Sequence, residues 1–376
     1  MSETQKHTKP NVPNLRFPGF EGEWEHFALG QLCEEFQSGK GITSEQIKEI
    51  ASYPVYGGNG LRGYADSYNH EGVYTLIGRQ GAKCGNVRLV SGKTYITEHA
   101  IAVKANRDNV TEFLNWLFIK MNLGQYSDQS AQPGLAVNKL VRLTAFVPKK
   151  AEQKKIAELL ALIDARITLQ SKVIEDYKIL KSTLCERCYI TEGRESHNLG
   201  ELLQQVSSRN RGRHITNVLS VSNRYGFIEQ KEQFEDRAVA SDDTSNYKIV
   251  ELNDFAYNPA RINVGSIARL KDWSKGIVSP MYICFRTTGS LIPEYLEHFF
   301  NTNRFQIELN KRLEGSVRQC LSYEGLCNIS IPLPSLKEQE IIVDHIGSIV
   351  KKIEVENQIL ALLQAQKSFL LQKLFI

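Results

Sequence analysis

The sequence predicts an α+β fold built by internal duplication: two α+β domains, separated by and followed by long α-helices that pair as an intramolecular coiled coil. Three observations predict it. The stretch "PKKAEQKKIAELLALIDARI" (148–167) returns much later as "PSLKEQEIIVDHIGSIVKKI" (334–353). Both copies continue as a heptad stripe. Both are preceded by a β-rich segment that opens and closes in a similar way.

Composition sets the frame. A chain of 376 residues exceeds one small domain. Its 41% hydrophobic and 23% charged residues are those of a soluble globular protein. The opening "MSETQKHTKPNVPN" is polar and does not read as a signal peptide, and no stretch is long and apolar enough to span a bilayer, so a cytoplasmic location is expected. The 7 cysteines are scattered. Cys185 and Cys188 form a lone C-x-x-C without a second ligand pair, so they read as thiols packed in or beside a helix seam, with no metal site. A net charge of +4 permits nucleic-acid binding without arguing for it, so local distribution decides.

In chain order, the reading gives an N-terminal tail (1–20), a first domain (21–147), a first long helix (148–192), a second domain (193–333) and a second long helix (334–376). The first domain opens with "HFALGQLCEEF" (26–36) and the second with "SHNLGELLQQV" (196–206). Inside the first, "VYTLIGRQGAKCGNVRLV" (73–90) reads as two strands around a glycine-rich loop and "TEHAIAVKA" (97–105) as a third. The second matches in kind with "FAYNPARINVGSIARL" (255–270) and "IVSPMYICFRTT" (277–288). A short amphipathic helix follows each strand set, "TEFLNWLFIKMNL" (111–123) and "PEYLEHFFNTNRF" (293–305). Each domain should therefore hold a mostly antiparallel sheet. "RLTAFVP" and "CNISIPLP" end the domains as strands running into Pro148 and Pro334.

The helices align without a gap, Val147–Ile190 on Leu333–Ile376. Identities include Pro148/Pro334, Glu152/Glu338, Gln153/Gln339, Lys181/Lys367 and Ile190/Ile376. The first seam reads Ile156, Leu160, Ile163, Ile167, Gln170, Ile174, Tyr177, Lys181, Leu184, Cys188. The second reads Ile342, Ile346, Ile349, Ile353, Glu356, Leu360, Leu363, Lys367, Leu370, Leu374. Steps of four and three alternate, as a coiled-coil seam requires. Polar breaks fall at matching places, Gln170 with Glu356 and Lys181 with Lys367, and polar seam residues fix register and partner. Each helix has a proline ahead of it and a glutamate in its first turn. About 37 residues at 1.5 Å each gives about 55 Å, the length of a ruler between two domains.

The loops carry side chains suited to nucleic acid. The first domain offers Asn59, Arg62, Arg79, Gln80 and Lys83 among tyrosines and glycines. The second offers Arg209, Arg211 and Arg213, then Arg261 and Asn263, with Asn223, Arg224, Asn258 and Arg318 in support. Arginine pairs bidentately with guanine, asparagine or glutamine with adenine, and the cations hold phosphates. Glycines in these loops should let the backbone approach a duplex closely.

Catalytic motifs fail. "SGKT" (91–94) has Val87 where a phosphate loop needs glycine. "NPAR" (258–261) lacks the second proline and the aromatic of an adenine-methyltransferase loop. No G-x-G-x-x-G follows a strand, and no G-x-S-x-G or H-E-x-x-H is present. No catalytic residue is assigned.

The helix phrase formed by Pro148, Glu152, Gln153, Ile156, Ala157, Leu160, Asp164 and Ile167 resembles the spacer helix of type I restriction–modification specificity subunits. The second copy departs from it at Val343 and Val350. "LRFPGFEGEWE", "YPVYGGNGLRGY" and the ending "FLLQKLFI" look like the same family, whereas "SGKGI" (38–42) lacks the proline of its S-G-x-T-P loop. The resemblance implies two target recognition domains, each reading half of a bipartite, asymmetric site on double-stranded DNA, with paired helices setting the unread spacer. It implies two methyltransferase subunits docking on the helices with S-adenosylmethionine for adenine N6 methylation, and motor–nuclease subunits using ATP and Mg²⁺. The chain itself would hold no cofactor and perform no catalysis. Two rival readings stand beside it, a self-contained nuclease or methyltransferase, and a coiled-coil scaffold that binds protein without reading bases.

Overall fold

The computed structural model describes residues 11–81, 83–127, 134–190, 195–230, 243–315 and 319–376. It falls into two compact units, Met1–Ser171 with Gln358–Ile376, and Lys172–Asn357. Each unit holds one sheet domain, part of the first long helix and part of the second.

In the first unit, six strands lie in the order Cys33–Ser38, Ala100–Ala105, His70–Gly78, Val87–Ile96, Tyr53–Gly57, Gly60–Ala65. The pairing is antiparallel except where Tyr53–Gly57 meets Val87–Ile96. Ala100–Ala105 and the second half of His70–Gly78 are buried on both faces, whereas Val87–Ile96 leaves half of its residues exposed. The helix Thr111–Met121 packs on them through Phe113, Leu114, Leu117 and Phe118. A two-stranded pair, Glu25–Ala28 with Thr144–Val147, ties the start of the domain to its end.

The second unit spreads its strands over two four-stranded sheets. One runs Leu203–Val206, Ile283–Thr287, Phe255–Tyr257, Ile267–Arg269; the other runs Gly226–Glu229, Val218–Ser222, Lys275–Val278, Lys248–Glu251. Only Val218–Ser222 on Lys275–Val278 is parallel among the described pairs. Ser196–Asn198 pairs with Ser330–Pro332, repeating the tie seen in the first unit. The expected short helix is broken in two, Pro293–Phe299 and Asn303–Asn310, because Thr302 caps a new helix start through a bond from the Phe305 amide.

The long helices span Lys150–Cys188 and Leu336–Lys373, 39 and 38 residues. They pair antiparallel. In the first unit Ile156, Leu160 and Ile163 share a core with Leu370 and Leu374; in the second, Cys185 shares one with Ile342 and Ile346. Every predicted seam position is buried or half-buried: Ile167, Ile174 and Leu184 on the first helix, and Ile349, Ile353 and Leu360 on the second, behave like the rest. The polar breaks find uses. Lys367 is ion-paired to Asp164, and buried Glu356 is held by Lys352 at 2.6 Å.

Beside these apolar cores, a buried glutamine fastens each sheet domain to its helix. Gln153 is 1% exposed; its Oε1 accepts the Val110 amide at 3.0 Å, and its Nε2 donates to Asn109 Oδ1 and the Pro148 carbonyl. Gln339 is 0% exposed; its Oε1 accepts the Ile292 amide at 2.9 Å, and its Nε2 donates to the Ser290 and Pro334 carbonyls. Val110 and Ile292 are the residues that open the short helices. The glutamine thus takes up an orphan amide at a helix start while holding the chain just ahead of its own helix.

Of the segment set apart as residues 1–20, residues 11–20 pack on the first unit. Arg16 grips both oxygens of buried Glu152 at 2.8 Å and donates to the Gly22 and Glu21 carbonyls. The Leu15 amide meets the Lys373 carbonyl. Glu152 is the first-turn acid that the sequence predicts, and it also receives this segment.

Candidate nucleic-acid interface

In the first unit the predicted residues converge. Asn59 sits in the tight turn between Tyr53–Gly57 and Gly60–Ala65, and Arg62 lies on the second of these strands; both are exposed. Arg79 and Gln80 leave the end of His70–Gly78, and exposed Lys83 follows in the next turn. Glycines bring the two loops together. A Cβ on Gly58 would lie 2.7 Å from the His99 carbonyl oxygen, and one on Gly78 would lie 2.7 Å from the Gly58 and Lys83 oxygens. These glycines therefore serve loop-on-loop packing. Gly81 alone of this group, at φ +83°, has nothing near its Cβ position.

Backbone bonds then fix the side chains. The Arg79 amide donates to the His99 carbonyl at 2.9 Å, and the Arg79 carbonyl accepts from Leu135. The Arg79 guanidinium reaches the Glu98 carbonyl at 3.4 Å and stays half-buried. Gln80 Oε1 lies 3.1 Å from His99 Nδ1. When that nitrogen carries the proton, the Gln80 amide nitrogen is turned outward, free to donate to an acceptor on a base edge. Sequence reasoning did not single out two members of this group. Arg88 is exposed and its guanidinium lies against Gly60; His99 orients Gln80. Alternation along Val87–Ile96 could have flagged Arg88, but His99 is 19 positions from Gln80 and only the fold joins them.

The second unit divides its candidates. Asn223, Arg224 and Tyr225 form the exposed turn between Val218–Ser222 and Gly226–Glu229. Beside it is the turn Ile262–Val264, carrying exposed Arg261 and Asn263; Gly265 lies against Asn223. Arg209 bridges Lys248 at the edge of the sheet opposite the Asn223–Tyr225 turn, and Arg211 and Arg213 follow in the same loop. Buried Asn210 shapes that loop, holding Ile215 through both its side-chain atoms. Arg209 donates to the Asn246 carbonyl, and Arg213, at φ 53°, is ion-paired with Asp243 at 3.0 Å. Asn258 is buried and caps its own turn through the Ala260 amide, so it is a shaping residue. Arg318 lies outside the described residues.

Among the described residues no group of three or more His, Cys, Asp or Glu could hold a metal ion. Burial pushes the Cys33 and Cys284 thiols up to about 12, so neither is a ready thiolate. Cys185 is raised for the same reason, consistent with a packed thiol. Among the described residues no helix is long and apolar enough to cross a membrane.

Comparison with known proteins decides the family. The model of the type I restriction modification DNA specificity domain matches twice, over residues 21–176 and 197–365. The chain belongs to this family. It is a type I specificity subunit, a DNA-recognition chain rather than a catalytic one. Among curated proteins it is 38% identical over 186 residues to the EcoprrI specificity subunit of Escherichia coli; that match covers 47% of this chain and 45% of that one, so it spans under half the relative's length. It is 20% identical to a type I restriction enzyme specificity subunit of Haemophilus influenzae, covering 93% and 94% of the two chains. Among solved structures, a type I restriction–modification S subunit from M. genitalium shares the fold, with TM-score 0.66 at 15% identity over 97% of this specificity subunit and 99% of that chain. A chain from a study of complex assembly in the type I system matches at TM-score 0.56 and 16% identity, over 96% and 99%.

Proposed function

We propose that this specificity subunit reads a bipartite, asymmetric site on duplex DNA, residues 21–147 reading one half and residues 193–333 the other. The observation that carries the reading is a constant joint beneath a variable surface. Each domain is tied to the start of a long helix by the same buried glutamine, while the loops displayed differ in composition and arrangement. Two domains that shared a target would have no reason to keep the joint and change the surface they display. The paired helices would set the unread spacer, since half-site spacing follows protein geometry. They would also dock two methyltransferase subunits carrying S-adenosylmethionine for adenine N6 methylation, which requires the base to leave the stack. Motor–nuclease subunits with ATP and Mg²⁺ would add restriction, in the cytoplasm where the genome lies. Asn59, Arg62, Arg79, Gln80 and Lys83 would contact the first half-site, and Arg209, Arg211, Arg213, Arg261 and Asn263 the second.

The test is a methylation map. Co-expressed with its methyltransferase partner in a host lacking adenine methylation, the chain should yield N6-methyladenine in a motif of two short halves around a fixed gap. Arg79→Ala should then relax one half only, by about 1–3 kcal/mol of discrimination. No motif from a well-formed complex would favour a protein scaffold, and relaxation of both halves would refute the division of labour.

A further inference from the structure

The duplication places a lysine at matching points of the two helices, and only one of them is neutralised. In the first unit Lys367 is ion-paired to Asp164 and its Nζ stands 5.0 Å from the centre of the Trp116 ring. In the second unit the matching lysine is Lys181. Helix alignment puts Val350 where Asp164 was. Counting six residues from the anchored amides Val110 and Ile292 puts His298 where Trp116 was. Burial holds the His298 imidazole down to about 4, and Lys181 adds to the effect, so the ring carries no charge at neutral pH. Lys181 is half-buried, and among the described residues its ammonium has no ion pair and no hydrogen bond.

That ammonium lines a polar cleft of about 500 Å³. Arg224, Lys271, Asn301 and Gln306 line it too, and its one acidic wall residue, Glu297, is already held by Arg269 at 2.9 Å and Lys271 at 3.4 Å. The cleft opens beside the exposed turn Asn223–Arg224–Tyr225. A half-buried, unneutralised cation among amide donors and further cations is a site for a singly charged anion of compact shape. Continuity with the turn that neighbours Arg261 and Asn263 favours DNA over an acidic protein segment as its source.

We propose that this cleft holds one backbone phosphodiester of duplex DNA, with Lys181 as the principal contact and Arg224 and Gln306 as flanking donors. The contact would position the second half-site without reading it. The inference rests on the DNA-reading function proposed above. It also makes the two ends of the chain unequal: the first-unit lysine is quenched in cis and should add nothing to DNA affinity.

Binding of the full chain, in complex with its methyltransferase subunits, should be measured on cognate and unrelated duplexes across a salt series. Lys181→Met, which keeps the apolar stem, should weaken both several-fold at low salt. It should also reduce the slope of log K against log salt by about 0.9, the loss of one phosphate. Val350→Asp, which recreates the first-unit pair, should do the same. Lys181→Arg should restore the slope, Lys367→Met should leave it unchanged, and the methylated motif should not alter in any variant. Inorganic phosphate at millimolar concentration should not relieve the Lys181 dependence; relief would mean the cleft takes free phosphate and would overturn the proposal. A slope unchanged in Lys181→Met with weaker retention of methyltransferase subunits would place an acidic protein side chain there instead. A wild-type complex without salt-dependent duplex binding would end the functional reading and this inference together, whereas normal wild-type binding with an indifferent Lys181→Met ends this inference alone.

Discussion

The two compact units descend from one plan, and they differ in what they kept. Kept is the joint. Gln153 and Gln339 make the same contacts to a short helix start and to the proline ahead of their own helix. Kept also is the dock where a long helix ends on a short one: Phe375 stacks on Phe113 with centroids 5.3 Å apart, and Tyr189 packs on Tyr295 at 4.7 Å. Changed is nearly everything that does not hold the helices to the sheets. One sheet became two. Trp116 corresponds to His298, and Asp164 to Val350. The second copy's Glu338 accepts from the Ser335 amide and hydroxyl at 3.0 and 2.7 Å, a local capping box, while Glu152 is held by Arg16. The difference teaches that the architecture is defined by its joints, leaving the sheet tips to vary.

The largest effect should come from the docked aromatics. Phe375→Ala and Tyr189→Ala each remove a nearly fully buried ring, at about 3–5 kcal/mol. Hydrogen exchange locates the damage. Phe375→Ala should expose the amides of Thr111–Met121 and spare Pro293–Phe299; Tyr189→Ala should do the reverse. If either change loosened both helices equally, the two docks would not be independent.

Next come the glutamines. Gln153→Ala or Gln339→Ala leaves a buried amide and two carbonyls without partners, at about 2–3 kcal/mol. Chemical denaturation should give closely similar losses for the two, because both hold a helix-start amide and the carbonyl of the proline ahead. A several-fold disparity would mean that one joint is held chiefly by something else.

How much of this was legible in the sequence follows from the range of the interactions. The seam was legible because period and identity repeat along one helix, and every seam position is buried or half-buried. The mostly antiparallel sheets followed from strand runs separated by turns, whereas the direction of the helix pair comes from the shared cores. The glutamine joint was not legible as a joint. Gln153 and Gln339 stood out only as an identity between the two helices, and their partners lie 43 and 47 positions upstream. Periodicity says nothing about a polar side chain buried against another element. The candidate interface was legible in residue type and only partly in place. Asn59, Arg79 and Lys83 lie on loops that touch because Gly58 and Gly78 allow it, whereas Arg209 lies beside the edge strand Lys248–Glu251 of one sheet and Arg261 follows Phe255–Tyr257 of the other.

A pH difference should separate the units. The folded His298 imidazole binds its proton at about 4 and the unfolded one near 6.5, chiefly because of burial, with Lys181 and Arg269 opposing protonation and Glu297 and Glu294 favouring it. Between these values the unfolded chain holds more protons, so stability falls as pH falls through that window, by roughly 3 kcal/mol near pH 4. Trp116 gives the first unit no such term. Exchange in Pro293–Phe299 should rise on acidification from pH 6.5 to pH 4 relative to Thr111–Met121, and His298→Gln should abolish the excess. An excess that survives His298→Gln would assign it to another group.

The smallest effect tests the divergent glutamates. Ser335→Ala removes the oxygen that meets the Glu338 amide and should cost about 1 kcal/mol. The same position in the first copy is Lys149, so no capping box forms there and Glu152 is left to receive Arg16. Ser335→Lys should therefore cost no more than Ser335→Ala, since it only recreates the first copy's helix start without its N-terminal segment. Arg16→Ala should act elsewhere, releasing residues 11–24 to protease while leaving exchange in the second unit unchanged. Protection of that segment in Arg16→Ala would show that Trp24, buried against Phe113 and Phe375, holds it without the ion pair.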